Sequence, residues 1–248
     1  MTGSHPSRWF RRFHPAEPGA PRLVCFPYAG GSASYFFPVS AALRPAVEVL
    51  AVQYPGRQDR RTEPVTADIG VLADEVTTAL LAEPAAPTAF FGHSMGAVVG
   101  YEVGRRLEQR GTVLTHLYVS GRRAPARPLP DEDVHTRDDA GVIAELRALG
   151  GPGSELLADP GLREMALPAI RGDYAAIETY AYVPGPPLRC PVTALVGDRD
   201  DKAPVPEVKG WADHTTGPFD LRVFPGGHFY LDTRNAEVLA AIRESLPV

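Results

Sequence analysis

The segment Phe90-Phe91-Gly92-His93-Ser94-Met95-Gly96-Ala97 sets a serine at the centre of a G-x-S-x-G pattern. An apolar strand pattern precedes it and a helix pattern follows, the context that a strand-to-helix nucleophile elbow requires. Gly92 and Gly96 lack side chains where the backbone must pass close to its neighbours. Ser94 then sits exposed and strained at the tip of the turn. The N-terminus of the following helix points at the reacting atom, where it favours developing negative charge. The chemistry is nucleophilic acyl transfer with Ser94 as the nucleophile. The pentapeptide alone is weak evidence, and its flanking strand and helix make it specific.

A serine hydroxyl needs a base, and in such a sheet the chain order is Ser, then Asp or Glu, then His. The chain holds seven histidines: His5, His14, His93, His116, His135, His214 and His228. The first three precede Ser94, and His93, its direct neighbour, points elsewhere. His116 opens a strand and His135 falls in a helical insertion. His214, in Trp211-Ala212-Asp213-His214, reads as a helix end, where a cation at the surface suits the dipole. His228 lies in Phe224-Pro225-Gly226-Gly227-His228-Phe229, a glycine loop leaving the last strand, and is the expected general base and acid. The orienting acid is expected in Gly197-Asp198-Arg199-Asp200-Asp201, with Asp200 the first choice and Asp198 the second. The strand 115–119 runs into Ser120-Gly121-Arg122-Arg123, which offers no acid.

The tetrahedral intermediate needs preset donors. Met95, following the nucleophile, supplies one backbone N–H. The loop Cys25-Phe26-Pro27-Tyr28-Ala29-Gly30-Gly31-Ser32 is expected to supply the second from Ala29.

These loops need strands to carry them. Short apolar runs at 22–26, 47–52, 88–91, 115–119, 192–196 and 221–224 read as strands. Helical patterns at 69–81, 97–109 and 236–246 alternate with several of them, which implies a mostly parallel sheet with helices on both faces. From about 122 to 187 the alternation stops. Pro- and Gly-rich stretches there enclose helical patterns at 140–149 and 162–180. Segments this long between strands are usually functional or disordered, and a lid over the site is expected.

With 248 residues, 44% of them hydrophobic and 22% charged, the sequence suits one large α/β domain spanning 1–248. The formal net charge of −5 argues against a general nucleic-acid binder. No apolar run reaches the about 18 residues of a membrane-spanning helix, and residues 1–12 lack the apolar core of an export signal. Cys25 and Cys190 show no metal-ligand spacing and read as reduced, buried thiols of a cytoplasmic protein. No coiled-coil pattern points to an obligate dimer, so a monomer is expected, and the chemistry calls for no metal or cofactor.

Taken together, these segments resemble the stand-alone type II thioesterases of polyketide and nonribosomal peptide assembly lines, which have the α/β-hydrolase fold. The resemblance runs nearly the whole chain. It includes Leu23-Val24-Cys25-Phe26-Pro27 with Ala29-Gly30-Gly31, Gln53-Tyr54-Pro55-Gly56-Arg57, the Ser94 elbow, Ser120-Gly121-Arg122-Arg123-Ala124-Pro125, and the loops of Asp200 and His228. Tyr28 departs from the histidine often found there, with little effect expected on a hole built from backbone N–H groups. The resemblance implies an acyl thioester substrate on the phosphopantetheine arm of an acyl or peptidyl carrier protein, hydrolysed to clear stalled or wrongly primed carriers. It also implies Ser94, Asp200 and His228 as the triad. Carrier proteins are generally acidic, so Arg57, Arg60 and Arg61, and Arg122, Arg123 and Arg127, are either docking clusters or ordinary solvated loops. The competing readings are an esterase or lipase acting on small oxygen esters, and a non-catalytic relative. The intact Ser94, Asp200 and His228 argue against the second.

Overall fold

A computed structural model describes residues 7–127 and 133–246. Residues 1–6, 128–132 and 247–248, which include His5 and parts of the export-signal and insertion readings, lie outside the described residues. The described strands are β1 (Phe10–Arg11), β2 (Arg22–Phe26), β3 (Glu48–Val52), β4 (Thr88–His93), β5 (His116–Ser120), β6 (Val192–Gly197) and β7 (Phe219–Phe224). They form one sheet in the order β1-β3-β2-β4-β5-β6-β7, parallel except for β1. All six expected strands are present, with no end shifted by more than two residues. The strand that sequence did not reveal, β1, is only two residues long and pairs Phe10 with Val52 at the sheet edge.

Alternate residues of the central strands feed two cores, as the two-residue strand period dictates. Leu23 and Cys25 face one side, with α1 (Phe37–Leu43), α7 (Tyr230–Thr233) and α8 (Asn235–Ser245). Val24 and Phe26 face the other, with α2 (Ile69–Leu81) and α3 (Met95–Gln109). Cys25 and Cys190 belong to different cores and are both free and buried.

Between β5 and β6 the described insertion is helical: a short 3-10 turn, Val134–Thr136, then α4 (Asp139–Ala148), a second turn, Ser154–Ala158, and α5 (Pro160–Glu178). Both helices are capped by aspartates, Asp138 accepting from Gly141 N–H and Asp159 from Leu162 N–H. After β6 come α6 (Val205–Val208) and the turn Lys209–His214.

His214 corrects its expected surface role. That turn packs against α3, so His214 is buried, its Nδ1 meets the Tyr101 hydroxyl at 3.0 Å, and burial lowers its pKa. The two arginine clusters are divided between interior and surface, with Arg61 and Arg127 exposed. Arg57, Arg60, Arg122 and Arg123 are buried; Arg60 lies over the Trp9 ring and pairs with Glu63, and Arg123 donates to the Lys202 carbonyl. No helix among the described residues is long and apolar enough to cross a membrane.

Candidate active site

Every expected site residue sits at the carboxyl ends of the parallel strands, where open α/β sheets carry their chemistry. Ser94 follows β4 with φ 53° and ψ −119°, a backbone conformation that side chains other than glycine rarely adopt. Its N–H donates to the Ser120 carbonyl at 2.8 Å, which ties the elbow to β5. The two glycines make the turn possible. A Cβ on Gly92 would stand 2.2 Å from the Gly96 carbonyl oxygen, and one on Gly96 would stand 2.1 Å from that of Phe26. Backbone cannot yield as a side-chain tip can. Gly96→Ala is therefore expected to destabilise the fold by at least the ~3 kcal/mol at the upper end of ordinary overpacking, measured by urea unfolding against the parent chain.

Two strands from Ser94, the loop after β6 carries Asp200, its side chain fully buried. The loop after β7 carries His228. The His228 Nδ1 lies 3.0 Å and 2.9 Å from the two Asp200 carboxylate oxygens. Facing a carboxylate, Nδ1 carries the proton and donates it, which leaves the Nε2 lone pair free to act as a base. Asp200 is itself held by N–H donors from Lys202 at 3.0 Å and Ala203 at 3.2 Å. Asp198, the second choice, does not meet the imidazole. It is half exposed and accepts from Gly226 N–H at 2.8 Å, steadying the histidine loop from outside.

His228 reaches back toward the elbow. Its ring centroid is 5.0 Å from that of His93, the residue before Ser94. His93 is fully buried, with Nδ1 3.0 Å from the Ser120 hydroxyl, which in turn meets Tyr230 at 2.7 Å. Burial first, and the neighbouring His228 second, push the His93 pKa well below its ordinary value, so this ring is neutral.

Met95 opens α3. The loop after β2 passes against the same helix start, because Gly96 lies in contact with the Phe26 and Pro27 carbonyls. Ala29 and Met95 are thereby carried by adjacent segments. Tyr28 packs edge-on against Tyr35 and Phe229, with ring centroids 5.1 Å and 4.8 Å away.

The helical insertion touches the loops after β2, β6 and β7. Gly151 abuts the Phe229 ring, Lys202 pairs with Glu145 of α4 at 2.6 Å, and Ile170 of α5 abuts Gly30. Between it and the loops after β2 and β3 lies an open cleft of about 980 Å³, lined by Tyr28, Ala29 and Gln58 from the loops and by Leu157, Met165 and Ile170 from the insertion. Such a space takes a small-molecule or acyl group. Among the described residues, no three His, Cys, Asp or Glu side chains are grouped to hold a metal ion.

One buried acid escaped the sequence reading. Asp173 of α5 is almost wholly inaccessible and forms a two-pronged pair with Arg57. The available signal was a charged residue on the apolar stripe formed by Leu167, Ile170, Tyr174 and Ile177.

Residues 21–246 match the thioesterase domain family. The chain belongs to that family. This thioesterase is 53% identical over 244 residues to the thioesterase PikA5 of Streptomyces venezuelae, covering 97% of this chain and 86% of that one. It is 52% identical over 240 residues to a probable cadicidin biosynthesis thioesterase of Streptomyces griseus, covering 95% of this chain and 66% of the relative's length. The solved type II thioesterase BorB, from the borrelidin biosynthetic cluster, superposes with a TM-score of 0.92 at 49% identity, covering 98% and 99% of the two chains. The expected α/β-hydrolase fold and thioester-hydrolase class hold for this thioesterase.

Proposed function

We propose that the chain hydrolyses acyl thioesters held on the phosphopantetheine arm of acyl or peptidyl carrier proteins, clearing stalled or wrongly primed groups from a polyketide or nonribosomal peptide assembly line. The observation that carries the mechanism is the Asp200–His228 pair standing beside the strained Ser94 elbow. The similarity to PikA5 and BorB supports the substrate class.

Ser94 Oγ attacks the thioester carbonyl while His228 Nε2 takes its proton. Charge collects on the carbonyl oxygen, where the Met95 and Ala29 N–H groups receive it. The C–S bond breaks, the pantetheine sulfur leaves with the proton returned by His228, and an acyl-serine ester remains. Water then attacks that ester with His228 again as base, releasing the carboxylic acid and restoring the hydroxyl. Asp200 fixes the imidazole tautomer and stabilises its charged form. No step needs a cofactor of the enzyme's own, since the phosphopantetheine belongs to the substrate. The helical insertion acts as a lid whose apolar wall receives the acyl chain.

A panel of carriers loaded with acyl groups of graded length tests this reading against p-nitrophenyl esters of the same acids. The expected result is a higher kcat/KM for the carrier-bound thioester throughout the panel. A consistent preference for the free oxygen esters would replace the carrier reading with that of a small-ester hydrolase.

A further inference from the structure

Asp173 belongs to the insertion, yet its carboxylate is spent on the sheet's loops. Oδ2 accepts from Gly30 N–H at 2.7 Å and from Arg57 Nη1 at 2.5 Å, and Oδ1 accepts from Arg57 Nη2 at 2.7 Å. Arg57 Nη1 also donates to the Gly31 carbonyl at 3.0 Å, and Arg57 Nε to the Pro55 carbonyl at 3.3 Å. Burial alone pulls the guanidinium pKa down, but the Asp173 charge and hydrogen bonds overcome this and hold it above its ordinary value. One ion pair thus joins three segments: α5, the loop at 28–31 and the loop at 55–57.

The contact has little slack. A Cβ on Gly172 would lie 2.2 Å from Val65 Cγ1, one on Gly56 2.5 Å from Val65 Cγ2, and one on Gly30 2.9 Å from Ile170 Cγ1. Seating α5 does not by itself require charge. Buried ion pairs can often be replaced by apolar residues at no cost in stability. What the carboxylate adds is a charge-assisted hold on a backbone amide.

That amide lies next to Ala29. Gly31 N–H donates to the Tyr28 carbonyl at 2.9 Å, and this carbonyl shares a rigid peptide plane with the Ala29 N–H. Fixing Gly30 N–H from α5 and Gly31 C=O from Arg57 therefore fixes the direction of the Ala29 N–H. We propose that Arg57 and Asp173 are positioning residues for the oxyanion hole: they aim the Ala29 donor and make its aim depend on the seating of the lid helix. The inference rests on the reading of Ser94 and Ala29 given under the proposed function.

The decisive variant is the apolar double replacement Arg57→Met with Asp173→Leu, which keeps α5 packed but removes the hold on Gly30. The expected result is a melting temperature close to that of the parent, an unchanged KM, and kcat lowered by about 10²-fold, the loss of one oxyanion donor. Affinity for a trifluoromethyl ketone analogue of an acyl-pantetheine, which forms the oxyanion on Ser94, falls by the same factor. Arg57→Lys, which keeps the charge but loses the fork, serves if the double variant does not fold, with about a tenfold loss in both readouts expected. Parent-level kcat and analogue affinity in a folded variant would overturn the positioning role. Labelling of the parent by a fluorophosphonate probe separates the two levels: absence of label on Ser94 would remove the active-site reading itself, whereas label with unaltered variants would remove only this inference.

Discussion

Ser94→Ala is expected to lower kcat for hydrolysis of an acyl-carrier thioester by about 10⁴-fold or more, by analogy with other serine triads. Under the proposed mechanism the substitution removes the atom that forms the acyl-enzyme. The remaining turnover comes from direct attack of water in a site that still holds the Asp200–His228 pair and the backbone donors. The fold is expected to survive. Ser94 makes no side-chain cap bond to α3, and its strain resides in the backbone, which alanine can share. Mass spectrometry of the loaded carrier reads both turnover and the acyl-enzyme, which should vanish. Retention of near-parent turnover would show that another group is the nucleophile.

Asp200→Asn is expected to cost about 10⁴-fold in kcat with little change in fold. The amide oxygen can still accept from Lys202 and Ala203 N–H, as the carboxylate does now. Its nitrogen, however, would donate to His228 Nδ1. The imidazole would then take the opposite tautomer, with a proton on Nε2 where the base must be free. Asp198→Asn is the control. It alters an exposed loop tether rather than the imidazole's partner, so its kcat should stay near that of the parent. Equal losses in the two variants would mean that charge in the loop, not the tautomer, governs the rate.

The residues that meet in this site were legible because each is announced by its own neighbours. The elbow needs Gly92 and Gly96 beside Ser94, Asp200 follows the buried strand β6, and His228 follows the edge strand β7, each through a short loop. What stayed hidden depends on partners distant in sequence. Arg57 looks solvated in a Pro-Gly loop until Asp173 meets it from α5. His214 looks like a helix-end cation until Tyr101, Tyr182 and Trp211 close around its ring. The two-residue β1 gave no alternation to read, and exists because β3 offers it a template.

The two ends of the sheet have a consequence for the molecule in company. A parallel sheet open at its margins invites further strands from other chains. Here one margin is β1, two residues long and flanked by Arg12, which is paired with Glu48 and Glu83. The other is β7, where Asp220 and Arg222 interrupt the strand with charge and Arg222 is engaged by Glu244. Each margin is too brief or too charged to seed a growing ribbon, so the protein should resist strand-by-strand aggregation even when crowded.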